Sequence, residues 1–204
     1  MTASATTQCD RQDRPSTSGA AAQQAFTALM RAMAEPGRIE QLAAPSGIPA
    51  ALPTSLAVVA KTLADFETPL WLAPALRDAP DVVDYLRFAA GAPIVPDPGQ
   101  AAFALVPDAV DLPPFSWFAQ GTDAYPDRST TIVMEVKRLS LNKGFELSGP
   151  GIAGTRSLAA GPLPDNFVER MAENCALFPR GVDLVLTCAD AVACLPRSVR
   201  LAAG

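Results

Sequence analysis

A single mixed α/β domain, its sheet covered by helices, is the fold class this sequence predicts, and three observations predict it. Apolar residues recur at helical spacing through the first part of the chain. From Thr130 onward the period shortens to two, and VDLVLTC followed by AVACLP near the end spells a hairpin. Helical signals early and antiparallel signals late suit one sheet with helices packed on it. The 204 residues fit one domain, and 49% apolar against 18% charged residues supply a core that needs no disulfide or metal staple.

Residues 1–18 lack large apolar side chains and are expected to be a disordered tail ahead of a single domain over 19–204. Phe26, Leu29, Met30 and Met33 then fall at i, i+3, i+4 and i+7, an amphipathic stripe that Glu35-Pro36-Gly37 stops. Thr54 stands where an N-cap belongs, before the second stripe of Leu56, Val59, Ala60 and Leu63. Residues 69–72 read as a short buried strand. Asp81 opens a helix through Val82, Tyr85, Leu86 and Ala89, and Gly91 ends it. A strand over 101–106 precedes an irregular or short helical segment around Phe115, Trp117 and Phe118.

Ile132, Met134 and Val136 alternate with Val133, Glu135 and Lys137, a strand with one wetter face. Asn142-Lys143-Gly144 is expected to turn the chain into a return strand begun by Phe145 and Leu147. A helix fits 166–175 with Asp165 near its cap, and a turn near Ala189-Asp190 joins the strands of the closing hairpin.

The hexapeptide GPGIAG at 149–154 fits the G-x-G-x-x-G pattern of dinucleotide loops. Its context does not. Gly161-Pro162 leaves room for barely two helical turns after it, and Pro150 has no amide hydrogen where donors to phosphate are wanted. Gly149 and Gly151 are therefore read as serving a tight backbone path after a strand. Gly37, Gly181, Pro36 and Pro196 are read as structural turn residues too.

The chain has no histidine, which removes the commonest general base, the commonest metal ligand and every Ser-His or Cys-His pair. Asp65 and Glu67 read as caps and solvated turn residues at a helix end. A pyridoxal-phosphate lysine must be desolvated beside a phosphate cradle. Lys61 falls on a polar helix face, Lys137 on the wetter strand face and Lys143 in a turn, so none suits that role. Arg156 and Arg197 are the candidates for anion or partner contact, because an arginine fork matches phosphate and carboxylate. Surface solvation or an ion pair is the competing role for each. Asp183, after Gly181, is read as tying down its loop through backbone amides or as pairing with an arginine. No catalytic, cofactor or metal residue is assigned.

Cys9, Cys175, Cys188 and Cys194 form no C-x-x-C pair and read as reduced thiols, though Cys188 and Cys194 could face each other across the last hairpin. Twenty-one acidic against sixteen scattered basic residues argue against nucleic acid or an anionic membrane as partner. With no export signal and no long apolar run, the cytoplasm is the expected compartment.

Four separated stretches, FTALMRAMAEPGRI, LAVVAKTLADFETPLWL, FELSGPGIAGTRSL and LFPRGVDLVLTCADAVACLPRSVRL, together resemble the H subunit family of the bacterial carbon–phosphorus lyase system (PhnH). The order and spacing match over nearly all of the chain after residue 20, except a poorly matching middle from about 99 to 127. Where the family ends Pro-Arg-Thr, this chain has Pro196, Arg197 and Ser198. The resemblance implies an α/β/α sandwich like a trimmed pyridoxal-phosphate-dependent transferase without the cofactor, and a homodimer. It also implies G, I and J subunits as partners, in a complex that joins an alkylphosphonate to the ribose triphosphate of ATP and later breaks the carbon–phosphorus bond. The implied role is auxiliary and non-catalytic, and the isolated chain is expected to be inactive. Two alternatives stand beside it: a pyridoxal-phosphate enzyme, and a small-molecule or nucleotide module using the 149–154 turn with Arg156.

Overall fold

The computed structural model describes residues 17–43 and 46–204, with side chains from residue 19 onward. The tail expected over 1–18 therefore lies outside the described residues, as does Cys9, except that Thr17 and Ser18 begin helix α1 (Thr17–Ala34). The buried face of α1 is built mainly of small residues, Ala25, Ala28, Leu29 and Ala32, and it lies against strand and helix. Phe26 and Met30, half of the stripe that the periodicity singles out, are 48% and 41% exposed. An alanine face lets a helix approach its neighbours closely, and the larger side chains turn outward.

Strand β1 (Glu40–Gln41) follows, then α2 (Thr54–Leu63), β2 (Leu70–Leu72), the single turn α3 (Pro74–Arg77) and α4 (Pro80–Ala90). Pro53 rather than Thr54 holds the N-cap of α2, and no side chain caps it. Gly91 ends α4 in the left-handed conformation, φ +69°, as its position suggested. The chain continues through β3 (Phe103–Val106), β4 (Thr131–Glu135), β5 (Arg138–Ser148), β6 (Arg156–Gly161), α5 (Phe167–Ala176), β7 (Asp183–Cys188), β8 (Ala191–Leu195) and β9 (Arg200–Ala203).

These strands form two sheets. The larger has the order β1-β8-β7-β4-β3-β2, parallel from β7 to β2 and antiparallel where β8 joins β7 and β1. The smaller is antiparallel, with the order β6-β5-β9. The protein is thus mixed α/β with one mixed and one antiparallel sheet. Side chains that alternate along the central strands feed two cores. Leu72, Leu105, Val133 and Val185 pack under α1, α2 and α4 with Leu29, Leu56 and Leu86. Ile132, Met134, Leu184 and Leu186 pack on the other face against Leu147 and Leu158 of the small sheet and Phe167 and Met171 of α5. The second face is therefore covered by a small sheet plus one helix, not by the helical layer a plain α/β/α sandwich would have. Each fully buried Leu or Phe among these contributes about 1.5–3 kcal/mol.

The structure departs from the sequence pattern in β4 and at 142–144. β4 has no wetter face, because a central parallel strand is covered on both sides: residues 132–134 are all buried, and Lys137 lies beyond the strand end. Nor does 142–144 turn the chain. β5 runs straight through it with a register shift between Ser140 and Phe145, in a different sheet from β4. Gly144 serves close approach instead, since a Cβ there would stand 2.5 Å from the Leu158 carbonyl oxygen.

The closing hairpin forms as expected, but its register separates the two cysteines. Cys188 pairs with Ala191 and Cys194 with Val185, and Cys194 sits in the helix-side core while Cys188 packs against the other. Burial pushes the Cys194 thiol up to about 12 from 9.0, with Asp183 a smaller cause. A folded-state pKa above the unfolded one stabilises fully below the unfolded value and is lost as pH rises through the folded value. Stability should therefore decline from about pH 9 toward 12, and Cys194→Ala should flatten that decline in urea titrations. At pH 8 the folded chain should alkylate at Cys175 and Cys188 well before Cys194, read by mass spectrometry.

Candidate functional site

The glycine motif is the connection of the β5–β6 hairpin. A strand follows it rather than a helix, so no helix N-terminus points amides at a phosphate. Its turn is closed by the Ile152 N–H donating to the Gly149 carbonyl at 3.2 Å. Gly149, Gly151 and Gly154 all have positive φ, but they differ in surroundings: a Cβ on Gly151 would lie 2.2 Å from the Ala34 carbonyl oxygen and 2.9 Å from Pro36 Cδ. The turn thus lies directly against the end of α1.

Arg156, first residue of β6, fastens that contact. Its Nη1 donates to the carbonyls of Glu35 and Pro36, both at 3.1 Å, and its stem passes within 3.1 Å of where a Cβ on Gly37 would stand. These carbonyls lie at the C-terminal end of a helix, where cations are favoured. Among the described residues, Nε and Nη2 of Arg156 donate to no protein group. Arg156 lines a groove of ≈ 400 Å³ whose walls also include Arg38, Leu141 and Ser157. Arg38 is already committed to Glu35 at 3.0 Å and Glu40 at 2.5 Å, and its pKa is raised first by the hydrogen bond to Glu35 and then by that to Glu40. Leu141 is 61% exposed. Arg156 is therefore the free cationic group of an otherwise balanced and partly apolar groove.

Arg197 is placed differently. Nε and Nη2 fork onto Asp183, Nη1 donates to the carbonyls of Pro126 (2.8 Å) and Pro179 (3.3 Å), and Nη2 also donates to Ser129 Oγ. Its backbone N–H adds a further bond to Asp183 Oδ1 at 2.8 Å. All five guanidinium N–H directions are used inside the chain, so the anion contact considered for Arg197 finds no donor. Asp183 combines its two expected kinds of contact, an arginine pair and a bond from a backbone amide, that of Arg197 itself. Val182 is held nearby by buried Asn174, whose side chain both accepts from and donates to the Val182 backbone, and the Gly181 N–H donates to the Gln120 carbonyl at 2.9 Å.

A third cluster carries no signal in the sequence. Glu135, at the end of β4, accepts from Ser55 Oγ and Thr187 Oγ1, each at 2.5 Å, and from the Ala189 N–H at 3.0 Å. The last bond steadies Ala189 in the left-handed region, φ +54°, at the hairpin turn. Cys188 beside it has a raised pKa, through desolvation first and Glu135 second. Asp65 and Glu67 form a local turn, with the Glu67 N–H donating to Asp65 Oδ1 at 2.9 Å.

The family model described as bacterial phosphonate metabolism protein (PhnH) matches residues 16–202. This chain belongs to the PhnH family. It is 42% identical over 180 residues, 88% of its own length and 90% of the relative's, to the alpha-D-ribose 1-methylphosphonate 5-triphosphate synthase subunit PhnH of Rhizobium meliloti. A protein of Stutzerimonas stutzeri called HtxG is 34% identical over 76 residues, 37% of this chain and 39% of that one.

In this PhnH chain two of the stretches that carry the family resemblance meet in space, 26–39 at the end of α1 and 145–158 at the glycine turn, with Arg156 between them. A third, 177–201, is closed on itself by Arg197 and Asp183. The poorly matching middle supplies β3 and Phe118, which meets Trp71 edge-on at 5.5 Å. Lys61 and Lys143 are exposed, and Lys137, 72% exposed, pairs with Asp108 at 3.3 Å. Among the described residues no group of three or more His, Cys, Asp or Glu could hold a metal ion. No helix of the described residues is long and apolar enough to cross a membrane.

Proposed function

We propose that the chain is an auxiliary, non-catalytic subunit of a carbon–phosphorus lyase core complex, the assembly that couples an alkylphosphonate to the ribose triphosphate of ATP in phosphonate catabolism. The observation that carries this is the end-to-end match with a relative named as a subunit of that synthase. The placement of the ionisable groups supports it. Arg197 is consumed internally, the lysines face solvent, and Glu135 is held by three donors, so the chemistry belongs to companions and this chain contributes surface. The companions are G-, I- and J-type subunits, and the setting is the cytoplasm. A homodimer completes the reading, for which the exposed Phe26 and Met30 on α1 offer apolar area. The scaffold is read as a trimmed pyridoxal-phosphate transferase fold without the cofactor, a reading that the solvent-facing lysines support.

Co-expression with G, I and J subunits from one operon should yield a single co-eluting complex with synthase activity, while the chain alone turns over neither ATP nor alkylphosphonate. Separate elution at all salt concentrations would refute the assignment. One observation favours a second reading, a small-molecule or nucleotide site at the 149–154 turn: Arg156, whose bonds to protein groups among the described residues all come from Nη1, lines an open groove. Calorimetry with ATP and with methylphosphonate decides it. A saturable heat that Arg156→Ala abolishes supports the site, and flat titrations end it.

A further inference from the structure

Two stretches of chain lie side by side where β4 and β7 begin, 120–130 from the irregular middle and 177–183 after α5. The Gly181 bond to Gln120 joins them, and so does an ion pair of Arg180 with Asp123 at 3.3 Å. Arg197 adds a tie from beneath, since its Nη1 donates to the carbonyls of both Pro126 and Pro179. Each of these prolines follows an aromatic residue whose side chain is in water. Tyr125 is 52% exposed and Phe178 63%, with Leu177 exposed beside it. The backbones under the two rings are fixed. The Tyr125 N–H donates to the Thr122 carbonyl at 3.2 Å and to its Oγ1 at 3.0 Å, and the Phe178 N–H donates to the Cys175 carbonyl at 3.2 Å.

Exposed aromatic rings on a fixed backbone suit an interface, because only two side-chain torsions remain to be ordered when a partner covers them. The charges around the rings define that partner. Arg180 is already matched by Asp123. Arg128 is not matched: its guanidinium lies over the Tyr125 ring, 4.3 Å from the centroid, and it is exposed. Among the described residues no carboxylate comes within 4.0 Å of it, that of adjacent Asp127 included. A guanidinium covered without a carboxylate loses its hydration and gains nothing in return. A surface that fits here therefore carries an acidic side chain for Arg128 next to apolar area for the rings.

We propose that Tyr125 and Phe178 anchor this chain to a companion subunit, which covers the two rings with apolar side chains and sets a carboxylate against Arg128. Arg197 and Asp183 are positioning residues for this surface, since one guanidinium holds the carbonyl that follows each anchor. The proposal rests on the reading of the chain as a complex subunit and specifies where one companion attaches.

The full chain, free and in the co-expressed complex, provides the test. Hydroxyl-radical footprinting read by mass spectrometry should show both rings oxidised about fivefold or more slowly in the complex, because anchors at an interface are sealed from water. Tyr125→Ala, Phe178→Ala and Arg128→Glu alter exposed side chains and should leave the thermal midpoint of the free chain in place. Each should weaken binding to the companion subunits by about tenfold or more, and Arg128→Lys should lose less than Arg128→Glu. Footprinting needs no substitution, so it decides the matter even where a variant fails to fold. Unchanged oxidation of both rings in a complex that does assemble would overturn the anchor while leaving the subunit assignment intact. Shielded rings with all three variants binding as before would overturn it too. A chain that never co-purifies overturns both readings. Shielding that grows with concentration of the chain alone would mean that two copies meet here, and would overturn the companion as occupant.

Discussion

Arg197→Ala will cost the fold about 3 kcal/mol, the lower end of what breaking a largely buried ion pair costs, given the residual 13% and 20% side-chain exposure of Arg197 and Asp183. The loss exceeds that of one hydrogen bond because one guanidinium serves four residues in two stretches of the chain, 126–129 and 179–183. Without it the Asp183 carboxylate keeps only the backbone N–H of residue 197, and the carbonyls of Pro126 and Pro179 lose their donor. For a chain of this length the thermal midpoint should fall by about 6–12 °C. Urea unfolding should show a lower midpoint at an unchanged slope. Arg197→Lys keeps the charge but cannot fork, so it should recover less than half of the loss. Asp183→Ala should be nearly as damaging, and the double variant should cost much less than the two singles added, because the charge left alone is what makes each single expensive. If Arg197→Ala costs under about 1 kcal/mol, the pair is a surface contact of the ordinary weak kind and does not organise this end of the sheet.

How much of this was legible in the sequence follows from which interactions have side-chain identity on both ends. An ion pair could be foreseen for Arg197 and for Asp183 separately, because both are charged and each adjoins a turn signal, but not that the two meet. That Arg197 is fully consumed could not be read, since its other acceptors include the backbone carbonyls of Pro126 and Pro179, and a carbonyl has no signature in sequence. The glycine motif could be dismissed as a phosphate loop from its neighbours, whereas its position under α1 depends on a contact 117 residues away in the chain, Gly151 against Ala34 (151 − 34). The hairpin misread at 142–144 has a similar cause. Asn-Lys-Gly is a good turn by local chemistry, but Gly144 is required by the approach of Leu158 and Ala159 from the paired strand. Helix stripes were legible in period and less so in orientation. Phe26 and Met30 face outward because the alanines of α1 permit a closer packing than hydrophobicity alone suggests. The Glu135 cluster was invisible for a plainer reason: Ser55, Thr187 and Glu135 come from three elements and none is unusual where it stands.

Gly151→Ala should be the most damaging change in the glycine motif, at about 3 kcal/mol. A left-handed backbone costs an alanine about 1–2 kcal/mol. The new Cβ would also lie 2.2 Å from the Ala34 carbonyl oxygen, and relieving such overpacking costs about 1–3 kcal/mol more. The relief has a direction. The hairpin turn must lift off the end of α1, which lengthens the Arg156 bonds to the Glu35 and Pro36 carbonyls and opens the groove beside them. Gly154 has nearly the same φ, +77°, but nothing within 4 Å of a Cβ, so Gly154→Ala should cost only the conformational part, about 1 kcal/mol. Gly149, whose Cβ would stand 2.9 Å from the Ser198 carbonyl oxygen, should fall between them. The ranking, measured by urea unfolding, separates two accounts of one hexapeptide. Packing requires Gly151 above Gly149 above Gly154 in stability, with no ligand present. A phosphate cradle would instead show itself as lost ATP affinity in all three variants at modest cost to the fold. Equal destabilisation by Gly151→Ala and Gly154→Ala would mean that backbone φ alone governs the turn, and that its contact with α1 constrains nothing.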